Sequence, residues 1–369
     1  MFMHRGNFMI YVVKKGETLH SISSQTGVPV CKIIHDNHIM NWEGITEGQS
    51  LLILKQEESF NVGKDMYVAG YTYPFIEPYI LEQAFPALNE LLVFSYGFDF
   101  TGRLNPPIHD IDSMIEAAWE EGVEPLLVLT PFSRGGFGRQ LVEVLVENTK
   151  IQKTVIENLI ETVEKKNYSG VNIFFGDIYG NSDKLYQFVE RVKQELNRKG
   201  YQMSVTVTMS MISEVAYLNS TVLLADKVFL MLSDVDERYR SPEPIAPLNK
   251  VRKTLDMILK ELPENKIMLG IPNFGYDWEL PYEEGITKAK TIGNMEALGV
   301  AIERRSIIQY DDIAQSPYYT YVKDNINHEV WFDDMRSINA KFELAREYGL
   351  YGIAYWNLLL QFPENWNLL

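Results

Sequence analysis

From residue 66 onward, short runs that are apolar on both faces alternate with stretches that are apolar at every third or fourth position. The runs are "MYVAGYTY", "ELLVFSYGF", "EPLLVLTPF", "GVNIFFG", "SVTVTMS", "KVFLMLSD", "KIMLGIPNFG" and "LYGIAYWNL". Strands covered on both faces, as in a parallel sheet, read this way. Between them lie helical patterns such as "DSMIEAAWEEG", "TVIENLIETVEKKN", "KLYQFVERVKQELNRKG", "LNKVRKTLDMILKEL" and "SINAKFELAREYG". Eight buried strands with intervening helices predict an α/β fold, a (β/α)8 TIM barrel over residues 66–369. After the seventh run the rhythm breaks at about residues 279–334, which predicts a small α+β insertion beside the barrel mouth.

Residues 10–54 keep a different rhythm. "IYVVKKGETLHSISSQTG" reads as a short strand, a glycine turn and a helix capped by Thr18 and stopped by Gly27. "VPVCKIIHDN" starts a second helix after Pro29, and "ITEGQSLLIL" is a turn followed by a second strand. The expectation is a small βααβ module. The polar, aperiodic stretch at 55–65 is its linker to the barrel.

Charge and composition narrow the function. The chain has 369 residues and a net charge of −16, so it has no general attraction to nucleic acid or to an anionic membrane surface. A lone cysteine, Cys31, excludes an intrachain disulfide and a cysteine-based zinc site. The six histidines are scattered and complete no metal spacing, so neither a metal nor a cofactor is expected. No segment approaches the ~20 apolar residues of a membrane span, and "MFMHRGNFMIYVV" lacks the apolar run of a signal peptide. Synthesis and folding in a cytoplasm are expected, with later transfer to a surface by another route left open. Aromatic residues make up 12% of the chain, a type that serves carbohydrate clefts and cores alike.

"YVVKKGETLHSIS", "GVPVCKIIHDN" and "ITEGQSLLI" resemble a LysM domain, with Gly-Glu-Thr-Leu and Glu-Gly-Gln turns at that family's positions. The resemblance implies binding of N-acetylglucosamine-containing glycans, as in peptidoglycan or chitin. The groove would lie between the turn Gly16, Glu17, Thr18, Leu19 and the turn Ile45, Thr46, Glu47, Gly48. Residues 66–369 resemble the glycoside hydrolase family 18 barrel. "KIMLGIPNFGYDWELPY", "AQSPYYTY", "HEVWFDD", "IAPLNKVRKTLDMI" and "GIAYWNLLLQFPENW" are similar to its LysM-linked branch, the spore cortex and coat lytic N-acetylglucosaminidases of endospore-forming bacteria.

Hydrolysis in that family is substrate-assisted. A Glu ending the fourth strand protonates the glycosidic oxygen, and an Asp two residues earlier orients the substrate's own acetamido group for attack. The branch motif is Gly-Val-Asn-Ile-Asp-Phe-Glu, whereas this chain reads Gly170-Val171-Asn172-Ile173-Phe174-Phe175-Gly176. On the sixth strand the branch has Met-Thr-Tyr-Glu-Trp-Gly, and Ser233 stands where the acetamido-binding Tyr is expected. The resemblance therefore implies a degenerate catalytic site and a glycosidase-like protein without turnover. Period-two alternation predicts Phe174 facing into the barrel and Asp177 facing away.

Two other readings remain open at this level. A bulge at Gly176 would turn Asp177 into the mouth as a substitute acid, with Asp234 and Asp236 as further candidates. A structural spore-coat component, with coat proteins as partners, would use the barrel only for protein contacts. Against complete loss of function, strand-end residues survive that suit a glycan cleft: Tyr71, Tyr73, Tyr96, Asn273, Tyr276, Asp277, Trp278 and Trp356. Resemblance to the spore branch implies deposition on spore coat, cortex or cell wall.

Overall fold

All eight apolar runs become strands, and the strands close into a parallel barrel: Tyr67–Thr72, Glu90–Phe98, Glu124–Leu129, Gly170–Ile173, Gln202–Thr208, Lys227–Met231, Ile267–Pro272 and Gly352–Trp356. Each pairs with its neighbour in sequence order, and the eighth pairs with the first through Ile353 opposite Val68. The computed structural model describes residues 3–5, 8–39, 44–54, 66–133, 136–175, 182–208, 222–232, 237–360 and 362–369.

The alternation of each strand splits the core in two. Val171, Ile173 and Phe175 point outward into the layer between barrel and helices, which holds most of the buried apolar side chains. Asn172 and Phe174 point inward. The outer layer is closed by amphipathic helices, among them Thr149–Lys165, Ser182–Lys199, Leu248–Ile258 and Met335–Glu347. Phe175 stacks on Phe188 of the second of these, 6.2 Å between ring centres.

After the seventh barrel strand the chain builds a five-stranded antiparallel sheet with one helix, Asn294–Glu303. Its first strand, Phe274–Leu280, follows the barrel strand almost directly, so the insertion begins ahead of residue 279. One face of this sheet packs Phe274, Tyr276, Trp278 and Trp331 toward Trp356 and Leu360 at the barrel mouth. The other face packs Tyr319, Val330 and Phe332 under the helix.

The N-terminal module pairs Phe8–Val12 with Ser50–Leu54 and packs the helices Leu19–Thr26 and Val30–Asp36 on one face, with Met3–Arg5 as an added edge strand. Thr18 is the N-cap, in a reciprocal capping box with Ser21, and Gly27 ends the helix in the left-handed conformation, φ 77°. Met9, Tyr11, Leu51 and Ile53 form the module's own core. Ile10, Leu52 and Leu54, on the opposite face, join the apolar layer of the barrel. The module is thus built into the barrel's side and shares its core.

Candidate functional site

The upper end of the barrel interior is filled with rings. Phe174 lies 5.7 Å from Trp356, 5.8 Å from Phe94 and 6.5 Å from Tyr71, ring centre to ring centre. Tyr71 and Phe94 meet Trp356 edge-on at 5.0 and 5.5 Å. These are the offset and edge-to-face arrangements that aromatic quadrupoles favour. Only 4% of Phe174 is exposed, and Trp356 is half-buried. Directly below, Tyr71 Oη meets Thr206 Oγ1 at 2.6 Å, Thr206 Oγ1 donates to Asn172 Oδ1 at 2.8 Å, and Asn172 Nδ2 donates to Ser204 Oγ at 2.9 Å. Among the described residues, the groups gathered around Trp356 are therefore aromatic, and those beneath them hydroxyl and amide. Burial pushes the Tyr71 phenol well above its ordinary pKa, and that of Tyr73 up as well, so both stay neutral.

Trp356 is positioned by its neighbours. Its carbonyl accepts from Asn273 N at 3.1 Å, and Leu358 N donates to Tyr71 O at 2.9 Å. Gly70 lets that loop approach: a Cβ there would stand 2.7 Å from Leu358 Cδ1. Tyr73 completes the rim, 5.2 Å from Phe94 and 6.4 Å from Trp356.

Of the strand-end residues expected in the cleft, the structure brings together Tyr71, Tyr73 and Trp356, with Tyr276 and Trp278 on the facing side of the insertion sheet. Tyr96 is elsewhere. The register slips between Phe94 and Tyr96, and this bulge turns the Tyr96 ring outward against Tyr168, at 6.1 Å. Phe94 takes the inward place. Asp277 also leaves the cleft, because alternation puts it opposite Tyr276 and Trp278. There it accepts from Tyr321 Oη at 2.7 Å and pairs with His328 Nδ1 at 2.9 Å. Asn273 spends its amide on the backbone after strand eight, donating to Asn357 O and Leu360 O. The Trp278 indole donates to Arg240 O at 2.8 Å. Gly176, Asp177, Ser233, Asp234 and Asp236 lie outside the described residues.

In the N-terminal module, Gly16 turns with φ 75° and Thr18 caps the helix. Leu19 packs on the module core, as does Ile45. Glu17 accepts from Lys14 N at 2.8 Å, Tyr11 Oη at 2.7 Å and Gln25 Nε2 at 2.9 Å. Desolvation works against its charge, but these donors prevail and hold the carboxyl below its ordinary value. The second turn touches the barrel. Thr46 Oγ1 donates to Ser306 O at 2.8 Å, Ile308 N donates to Glu47 O at 2.9 Å, and Arg336 donates to Gly48 O at 3.1 Å. Gly48 has φ 84°, and a Cβ there would fall 1.8 Å from Ile308 O.

A closed barrel with this insertion and an aromatic mouth under the eighth-strand Trp356 defines the class. The profile of the glycosyl hydrolases family 18 matches residues 133–360, and that of the LysM domain matches residues 11–53. The chain belongs to glycosyl hydrolases family 18 and carries an N-terminal LysM domain. Among its relatives is a cortical fragment-lytic enzyme of Bacillus anthracis, 31% identical over 98% of this chain and 97% of that one. A putative sporulation-specific glycosylase, YdhD of Bacillus subtilis, is 27% identical over 97% of this chain and 86% of that one. The crystal structure of the Bacillus cereus spore cortex-lytic enzyme SleL superposes with a TM-score of 0.90, at 25% identity, over 98% of this chain and 97% of that one.

Proposed function

We propose that this protein is a family 18 barrel that holds N-acetylglucosamine-containing glycan of a spore or cell wall without cleaving it. The observation that carries the reading is the Phe174 ring, packed among Tyr71, Phe94 and Trp356. By the resemblance drawn above, that volume is where an acetamido-orienting carboxylate and the acetamido group itself would sit. A phenyl ring there can neither orient nor charge-stabilise an acetamido oxygen, and it fills the space in which that group would turn under the sugar. Gly176 offers no proton to a leaving oxygen, and Ser233 is too short to replace a tyrosine hydroxyl. A general acid alone is worth on the order of 10² to 10⁴-fold, and parts that act on one transition state are not additive.

What the mouth retains is stacking surface: Trp356, half-buried, with Tyr73 beside it. Aromatic faces hold sugar rings through their C–H surfaces and need no acid. The LysM domain supplies a second glycan contact. The names of the relatives, cortical fragment-lytic and sporulation-specific, support a spore setting. In this reading the protein is made in the cytoplasm and laid down on coat or cortex, with coat proteins as neighbours.

The test is a reversion series on a fluorogenic N-acetylglucosamine substrate and on cortex peptidoglycan. Wild type and Gly176→Glu are expected to be inactive on both, because the single change leaves Phe174 in place. The triple variant Phe174→Asp, Gly176→Glu, Ser233→Tyr is expected to recover measurable turnover. Wild-type hydrolysis well above that of Trp356→Ala overturns the reading.

A further inference from the structure

Thr46, the Glu47 carbonyl and both backbone groups of Gly48 in the second LysM turn are engaged. Within the module, Thr46 N donates to Gln49 Oε1 at 3.1 Å, Gln49 N donates to Thr46 O at 3.2 Å, and Gly48 N donates to Val13 O at 2.8 Å. The barrel takes the Thr46 hydroxyl through Ser306 O, the Glu47 carbonyl through Ile308 N and the Gly48 carbonyl through Arg336. Residues 306–308 thus run along the turn much as a neighbouring strand would. Arg336 is itself fixed, paired with Asp334 at 2.6 Å and lying 4.2 Å above the Tyr310 ring. The missing side chain of Gly48 is what allows the two backbones to come so close.

A glycan that reached these backbone carbonyls and this hydroxyl would have to displace the partners they now have. We infer that in the intact chain the LysM groove is held shut along its second turn, and that glycan enters as residues 306–308 and Arg336 let go. The inference rests on the reading of the LysM domain as a glycan binder. Release is local. Ile10, Leu52 and Leu54 keep the back of the module in the barrel's apolar layer whether or not the turn is engaged. Because binding and release draw on the same groups, the coupling is reciprocal. Glycan favours the released turn, and loosening the turn raises affinity for glycan.

The experiment uses the full-length chain with chitotetraose as probe. Arg336→Ala removes the donor to Gly48, and Ile308→Pro removes the N–H that serves Glu47; neither residue is a proposed sugar contact. Affinity is read by calorimetry, and the site by amide exchange at residues 16–19 and at Ile308. Each variant is expected to bind about tenfold more tightly than wild type, within the usual range of allosteric coupling. In wild type, chitotetraose is expected to slow exchange at 16–19 and to speed exchange of the Ile308 amide, a readout that does not depend on how well either variant folds. If sugar protects 16–19 with equal affinity in all three proteins and leaves Ile308 unchanged, the closure is wrong and the LysM glycan reading stands. If sugar leaves 16–19 unprotected in all three, the glycan reading fails and the closure with it.

Discussion

At position 174 a phenyl ring has taken a place among Tyr71, Phe94 and Trp356, and the packing that results is that of a core. Removing it opens a cavity that these rigid rings can only partly close. Phe174→Ala is therefore expected to cost about 3–5 kcal/mol, read as a fall in the urea midpoint. That figure belongs to a residue inside a packed layer; a solvent-facing Phe174 would give a small fraction of it. The inward direction of this ring was legible in the sequence, because Asn172 and Phe174 share a strand face and the run from Val171 to Phe175 is unbroken. Phe94 was not legible as a member of the same cluster. Alternation in "ELLVFSYGF" puts Leu92, Phe94 and Tyr96 on one face, and only the bulge after Phe94 shows that Phe94 keeps the inward place while Tyr96 leaves it.

Strands and helices were the easiest features to read, since each apolar run had the length and the two-sided character of a covered strand. The difficulty lay in irregularities along an element. A one-residue slip in the second barrel strand moves Tyr96 from the mouth to the outer layer, and no residue type in that strand announces it. Tyr96→Ala is therefore expected to lower stability by about 3 kcal/mol and to leave glycan affinity unchanged, whereas Trp356→Ala is expected to weaken glycan binding. Calorimetry on the two variants compares them directly, and loss of affinity in the Tyr96 variant would return that residue to the cleft. The insertion sheet teaches the same lesson by alternation. Tyr276 and Trp278 face the mouth, while Asp277 between them serves Tyr321 and His328 on the other side. The contacts of Ser306, Ile308 and Arg336 with the LysM turn left no mark in the sequence, because two of the three involve only backbone of the barrel partner.

The whole molecule is held together across a seam. A small cavity there is lined by Asn37, Gln49 and Ser50 of the LysM domain and by Asn294, Asp333, Asp334 and Glu364 of the barrel. Asp333 is paired with Lys341 and Asp334 with Arg336, but Glu364 Oε2 has no hydrogen-bond partner among the described residues. Burial pushes the Glu364 carboxyl from 4.5 up to about 8, with its own backbone N–H acting in the opposite sense. Between those two values the folded chain keeps a proton that the unfolded chain releases. Its contribution to stability is complete below about pH 4.5 and is lost as pH rises to about 8, at roughly 1.4 kcal/mol per pH unit. Glu364→Gln keeps the neutral form at every pH. The variant is expected to gain on wild type as pH rises from 5.5 to 7.5, by roughly 3 kcal/mol over that interval. Thermal unfolding at both pH values checks the sign, and a constant difference would show that Glu364 does not hold its proton in the fold.

Ile10, Leu52 and Leu54 have a consequence for how such a chain can be inherited and re-engineered. Proteins with a LysM domain invite description as beads on a string, each bead free to be traded for another. Here the bead has no rind on one side: what would be its outer skin is flesh continuous with the barrel. A foreign LysM domain spliced in at the same point would present a water-adapted back to an apolar wall, and the donor of this one would carry away an oily scar. The punctuation visible along the chain is no seam for cutting, and the smallest piece that recombination can pass on intact is the pair.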